Sequence, residues 1–175
     1  MIGHVGRFVE QKNHSFLLDV FDQMYKIDNN VKLLLLGDGP LLPKIEEKAK
    51  KLGVKDKVIF AGSKMNVWNY YSMMDLFIFP SLYEGLGMTA IEAQANGLYC
   101  IVSDNITKEV MATNNIEFMS TQQSPKLWAE EAMRHINCRI QINYFAENEK
   151  MLQSVFNIKN QAKKLLFCYQ RLLID

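Results

Sequence analysis

Short, wholly apolar runs alternate with stretches of helical periodicity along most of this sequence. No other feature constrains the fold as strongly. Residues 31–36 (VKLLLL) are closed by Gly37-Asp38-Gly39-Pro40, residues 57–61 (KVIFA) by Gly62, and residues 76–79 (LFIF) by Pro80-Ser81. Residues 2–8, 99–103 (YCIVS) and, more weakly, 116–119 read as further strands. A strand with no polar face is covered on both sides, which is the habit of parallel sheets. Between the runs lie helical stretches. In 15–25, Phe16, Leu17, Val20, Phe21 and Met24 recur at helical spacing. Residues 40–52 end at Gly53, a C-cap signal, and 67–74 and 89–96 follow, the latter ahead of Gly97. The remainder reads as mostly helical, with candidates at 125–136 and 157–173. Strand–helix alternation of this kind predicts an α/β protein: a Rossmann-like, doubly wound parallel sheet of about six strands in a single domain. Ligands of such sheets bind beyond the carboxyl ends of the strands.

Composition enters as a filter. At 175 residues and 49% hydrophobic, the chain has enough apolar side chains for one sizeable core, and low-complexity disorder is excluded. Lys and Arg total 20 against 19 Asp and Glu, so there is no global field to attract nucleic acid or an anionic membrane. Any anion must be held by a few local groups. The longest apolar runs are about five residues, far short of the ~20 that span a bilayer. Cys100, Cys138 and Cys168 are odd in number and widely spaced, so no disulfide framework or zinc spacing is predicted. With no signal-peptide pattern after Met1, the reading is a reducing, cytoplasmic compartment.

The residues that can carry chemistry fall at predicted strand ends. After the strand ending at Pro80 comes PSLYEGLGMTAIE (residues 80–92), a glycine-bearing turn opening a helix near Met88. A helix N-terminus offers unpaired N–H groups and the positive dipole end to a phosphate. Gly85 and Gly87 allow close backbone approach. Glu84 precedes the helix and Glu92 lies about one turn inside it. An ionised carboxylate is acceptor-only and suits paired sugar hydroxyls. The plainer reading is that Glu84 caps the helix and Glu92 faces solvent. Gly6-Arg7-Phe8-Val9-Glu10-Gln11-Lys12 follows the first strand, where Arg7 can fork onto a phosphate and Lys12 adds a mobile charge. Alternatively both are surface charges paired with Glu10 or Asp19. Gly37 and Gly39 are explained as a strand-to-helix turn with Pro40 at the first helical position. Ser63 and Lys64 read as a solvated loop or as the wall of a base pocket.

His4 reads as a core or edge histidine, His14 and His135 as surface residues on helices, the ten methionines as core filling, and residues 46–51 as a solvated helix face. There is no Walker A loop, GxGxxG, HExxH, Gly-x-Ser-x-Gly or Asp-x-Asp pair, which speaks against kinase, nicotinamide oxidoreductase, metalloprotease and esterase chemistry.

In this order the segments resemble the C-terminal, donor-binding domain of GT-B glycosyltransferases of the retaining family-4, or group 1, type. The likeness runs from Gly6-Arg7 to about Trp128. Glu84 and Glu92 match the family's Glu-x7-Glu motif within LYEGLGMTAIEAQANG, Gly6-Arg7 with Lys12 its GR…K motif, and Gly37 to Pro40 its GxGP turn. The spelling around Glu84 and of CIVSD (residues 100–104) looks most like enzymes of exopolysaccharide or capsule synthesis. The resemblance implies a retaining hexosyltransferase using a nucleotide-diphosphate sugar, UDP-linked by default, and a polysaccharide or lipid-linked acceptor. Arg7 and Lys12 would bind the pyrophosphate and Glu84 the transferred sugar. The backbone of Gly85, Leu86, Gly87, Met88 and Thr89 would contact sugar and phosphate, and Glu92 the ribose. The charge on the leaving diphosphate would be met without a metal, and no cofactor is implied.

The resemblance also implies a missing partner. GT-B enzymes close a second, N-terminal domain over this one and carry the acceptor site there. The sequence begins at the first strand of the second domain, so residues 1–175 are expected to be a donor half, with 157–173 as its last helix. Such a half binds nucleotide weakly and transfers nothing alone. In full-length form it is open to peripheral association at the inner face of a membrane. Asn105-Ile106-Thr107-Lys108 stands where many relatives have a Gly-Gly turn, which changes the loop before Glu109. In relatives the last helix crosses back to the N-terminal domain. Here its apolar stripe (Ile158, Ala162, Leu165, Leu166, Tyr169) is expected to pack on its own domain, with an exposed patch or a dimer contact as alternatives. The competing functions are a nucleotide- or phosphate-binding module without catalysis, and an interaction domain that has lost its site.

Overall fold

The computed structural model describes residues 1–138 and 144–172. Six strands, β1 (Ile2–Val5), β2 (Leu33–Leu36), β3 (Val58–Gly62), β4 (Leu76–Phe79), β5 (Cys100–Ser103) and β6 (Ile116–Met119), form one sheet. Its order is β3-β2-β1-β4-β5-β6 and every pairing is parallel. This is the doubly wound order, in which the direction of winding reverses between β1 and β4. The α-helices of the described residues are α1 (His14–Ile27), α2 (Leu42–Lys51), α3 (Val67–Tyr71), α4 (Met88–Ala95), α5 (Pro125–Cys138), α6 (Tyr144–Gln153) and α7 (Ile158–Leu172).

The four leucines of β2 show why the strands carry no polar residues. Leu33 and Leu35 point into a core shared with Leu17, Leu18 and Phe21 of α1, Ile45 of α2 and Trp128 of α5. Leu34 and Leu36 enter a second core with Tyr71 of α3, Phe77 and Phe79 of β4 and Ile91 of α4. Successive side chains of a strand point to opposite faces, so a sheet with a core on each side needs apolar residues at every position.

Register positions the site. β1 pairs with β2 over four residues, from Ile2↔Leu33 to Val5↔Leu36, but with β4 only at Ile2↔Leu76 and Gly3↔Phe77. Beyond Gly3 the ladder between the two strands ends, which puts the crevice of a doubly wound sheet at their carboxyl ends.

Several expectations are corrected. Helix α2 begins at Leu42 with Pro43 in its first turn, so Pro40 belongs to the preceding turn. Helix α7 is found where expected, but Ile158, Leu165, Leu166, Phe167 and Tyr169 are all more than half exposed. Its stripe therefore does not pack on its own domain; residue 173 lies outside the described residues. Met24, Met74 and Met133 fill the core, whereas Met65, Met73, Met88 and Met111 are exposed. At residues 105–108, Ile106 is buried and Thr107 caps the 3-10 turn Lys108–Val110, its Oγ1 accepting from the Glu109 N–H at 3.4 Å. No helix among the described residues is long and apolar enough to cross a membrane.

Candidate active site

The turns after β1, β2 and β3 are sewn together by their backbones. Gly6 N–H donates to Leu36 O (3.0 Å), Phe8 N–H to Asp38 O (2.9 Å), Leu41 N–H to Phe8 O (3.0 Å), and Gly37 N–H to Gly62 O (3.0 Å). Gly37 is required here. Its φ is +134°, and a Cβ would lie 2.1 Å from the Gly6 carbonyl oxygen. The turn is thus a close backbone approach as well as a helix entry. Around it lies a cavity of about 510 Å³ lined by Gly6, Arg7, Gly37, Gly39, Ser63 and Lys64, with Val67 of α3 at its edge. Arg7 is exposed and forms no ion pair among the described residues. Ser63 and Lys64 line this cavity and are exposed to solvent.

The second half of the site spans the β1–β4 crevice. A 3-10 turn, Glu10–Lys12, carries Lys12 over the Phe79 ring, with its ammonium 4.8 Å from the ring centre. Lys12 Nζ lies 2.6 Å from Glu84 Oε1, and the two side chains are only 15% and 8% exposed. The partners expected from the sequence, Glu10 and Asp19, are not the ones used; Asp19 pairs with Lys48. A cation and a carboxylate 72 positions apart meet because the topology brings both strand ends to one place.

Glu84 does not cap α4. The N-cap is Gly87, in the left-handed region at φ 76°, no side-chain bond caps this end, and the first turn holds no acidic residue. The helix end beside Glu84 therefore keeps its dipole and N–H groups for another acceptor. Thr89 Oγ1 in that first turn is buried with no hydrogen-bond partner among the described residues. Glu92 is not on a solvated face either. Its Oε2 accepts from the Tyr71 hydroxyl at 2.9 Å, and burial, then the carboxylate itself, pushes the phenol pKa upward. Glu92 and Glu84 do not line the 510 Å³ cavity. Glu84 faces Lys12 and Gln11 of the turn after β1, and Glu92 of α4 faces Tyr71 of α3.

Sequence reasoning missed a buried imidazole pair. His4 is buried as expected, but so is His14, and their ring centres are 4.7 Å apart. His4 Nδ1 faces the Ile78 carbonyl at 2.9 Å, so that nitrogen carries the hydrogen. This bond bridges β1 to β4 where the backbone ladder has ended. Burial lowers the His4 pKa to about 4, against the pull of that carbonyl and helped by the Lys12 charge. Burial, with His4 and Lys12, lowers that of His14 to about 2. Both rings are neutral, leaving Lys12 as the cation beneath the crevice. Nothing in the local sequence marks His14, because its cover is Phe8, stacked at 4.0 Å, and His4.

His135 is also not a surface residue. Its side chain is 6% exposed, stacks on Tyr99 at 3.7 Å, and sits 3.1 Å from Glu117 and 3.0 Å from Glu131. This group lies on β6 and α5, away from the crevice, and Arg134 bonds Glu131 and spans it.

Comparison with known proteins gives the site its context. The family model described as glycosyl transferases group 1 matches residues 1–151. The chain is 41% identical over 135 residues to the putative glycosyltransferase EpsF of Bacillus subtilis (strain 168), covering 77% of this chain and 35% of EpsF. It is 34% identical over 97 residues to the Vi polysaccharide biosynthesis protein VipC/TviE of Salmonella typhi, covering 55% of this chain and 17% of that protein. Its fold matches the pneumococcal O-GlcNAc transferase GtfA, solved with UDP and GlcNAc, at a TM-score of 0.80 and 17% identity. That match covers 99% of this chain and 36% of GtfA. The chain thus spans about a third of the length of EpsF. It also matches the lipopolysaccharide outer core galactosyltransferase WaaB at a TM-score of 0.73 and 20% identity, covering 94% of this chain and 48% of WaaB. With the match running from β1 into α6 and the doubly wound sheet shared throughout, the chain belongs to the group 1 glycosyl transferases.

Proposed function

We propose that this chain is the donor-binding half of a retaining glycosyltransferase, which moves a sugar from a nucleotide-diphosphate donor, UDP-linked, to a polysaccharide or lipid-linked acceptor. The observation that carries the reading is the Lys12–Glu84 pair across the β1–β4 crevice, beside an uncapped helix N-terminus. The UDP complex of GtfA and the polysaccharide named for VipC/TviE support the choice of donor and acceptor. The acceptor is assigned to the part of the protein beyond this chain, an N-terminal domain closing over the crevice, so the chain alone binds but does not transfer.

In this reading the nucleotide lies along the glycine turns, with its base toward Ser63 and Lys64 and its ribose toward Glu92. Arg7, Lys12 and the α4 dipole face the diphosphate. As the bond from the anomeric carbon to the diphosphate oxygen breaks, positive charge spreads over the sugar ring and negative charge grows on the leaving group. Arg7, Lys12 and the aligned N–H groups of α4 stabilise that charge electrostatically, and the chemistry calls for no metal. Glu84 holds sugar hydroxyls and orients the ring.

Full-length variants test the assignment. Glu84→Ala lowers turnover about 100-fold through loss of sugar orientation. Glu92→Ala mainly raises the donor KM, by about tenfold, through a lost charged hydrogen bond to the ribose. Wild-type turnover in Glu84→Ala contradicts the assignment.

A further inference from the structure

Glu84 is held by a residue outside the matched motif positions. Gln11, in the Glu10–Lys12 turn, is laced to the loop after β4 by backbone and side chain. Its carbonyl accepts the Leu82 N–H at 2.8 Å. Its Nε2 donates to the Tyr83 carbonyl at 2.9 Å and to Glu84 Oε2 at 3.3 Å. A primary amide nitrogen has two hydrogens, and both are used here. Asn13 Nδ2 adds a link to the Pro80 carbonyl at 3.2 Å.

The two oxygens of Glu84 are therefore held differently. Oε1 faces the Lys12 ammonium, a point charge on a flexible stem that can turn toward a diphosphate. Oε2 faces an amide whose own position is fixed by a backbone carbonyl, and that donor cannot follow the ammonium. With Lys12 drawn to a diphosphate, Oε1 is released while Oε2 stays tied. A carboxylate pinned through one oxygen presents the other in a set direction, as an adjacent sugar hydroxyl needs.

We infer that Gln11 is a positioning residue for Glu84: its side-chain amide keeps the carboxylate aimed at the donor sugar once Lys12 has turned to the diphosphate. The inference rests on the reading of the crevice as a donor site. It assigns no direct contact between Gln11 and the donor.

The test uses the 175-residue chain, as wild type, Gln11→Met and Gln11→Glu. Affinities for UDP and for a panel of UDP-hexoses and UDP-N-acetylhexosamines are measured by calorimetry from pH 5 to 8. Side-chain amide exchange of Gln11 is followed by NMR in the UDP-saturated wild type. The ratio of sugar-nucleotide to UDP affinity, for the tightest-binding sugar, cancels any general loss of fold. In Gln11→Met that ratio falls about tenfold, the size of one hydrogen bond to a charged group. In Gln11→Glu it falls at pH 8, where two carboxylates face each other. It recovers toward pH 5 as the introduced group takes up a proton and again donates to Oε2. A residue that only braced the loop would give one ratio at all pH values. In UDP-saturated wild type the Gln11 amide protons remain protected from exchange. An unchanged ratio in both variants, or Gln11 amide protons that exchange freely once UDP is bound, overturns the inference and leaves the donor site standing. A wild-type chain that binds neither UDP nor any UDP-sugar removes the donor-site reading itself, and the inference with it.

Discussion

At the scale of single residues, two titratable rings, His4 and His14, are buried as neutral groups next to the Lys12 charge. His4 and His14 ionise near 6.5 when solvated, but below that value in the fold. The unfolded chain therefore binds more protons than the folded one between these limits. Stability falls as pH drops from 6.5 toward about 4 for His4 and toward about 2 for His14, and on their account is flat above about 7.5. By pH 4, His4 alone removes on the order of 3 kcal/mol. Urea unfolding across pH 4.5 to 7.5 should show this slope in wild type, and a shallower one in His4→Phe and His14→Phe. Equal slopes would contradict it. Only half of this pair was legible beforehand. His4 lies in an apolar run and reads as core, whereas His14 opens a helix, where exposure is the ordinary expectation. Its burial depends on Phe8 folding over it and on His4 arriving from the strand.

At the scale of elements, strand ends decide function, and their turns differ in what they tolerate. Gly37 stands against the Gly6 carbonyl at positive φ, so Gly37→Ala must move two turns at once. That costs on the order of 3 kcal/mol from clash and backbone strain, read as a lower melting temperature. A Cβ at Gly85 meets nothing within 4 Å, so Gly85→Ala should leave the melting temperature within about 1 °C of wild type. On the donor-site reading it nonetheless weakens UDP-sugar binding, because the added methyl stands where the ligand approaches. A melting loss in Gly85→Ala as large as that in Gly37→Ala would show that the loop is packed rather than open. The strands themselves were legible because a two-sided core forces unbroken apolar runs such as Leu33–Leu36. Their ends were less so. The apolar run predicts a first strand to Phe8, yet the strand stops at Val5, the Gly6 N–H making the last ladder bond to Leu36 before the chain turns. Helix α6 was not singled out at all.

At the scale of the whole molecule, a doubly wound parallel sheet of about six strands is readable from alternation, but the strand order and the meeting of Lys12 with Glu84 are not. The motif resemblance assigned both to a donor, while their contact, and the Gln11 lacing beneath it, follow from β1 and β4 being neighbours. The last helix shows the opposite limit. Its stripe is plain in the sequence, but periodicity says only that a face is apolar, not what covers it. Met151 and Phe156 still pack on the second core, whereas α7 beyond them contributes to neither core. A chain ending at residue 157 should therefore melt within about 2 °C of the full 175 residues, a larger loss marking α7 as part of the fold. The central claim is that the carboxyl ends of β1 to β4 hold a nucleoside diphosphate. It is tested most directly by titrating UDP, with GDP and ADP alongside, into isotope-labelled chain and mapping the amide shifts, using Arg7→Ala as control. The account predicts saturable shifts at Gly6, Arg7, Gly37, Ser63, Lys64 and Met88–Thr89, lost in the control. Shifts confined to other surfaces, or equal binding by Arg7→Ala, would contradict it.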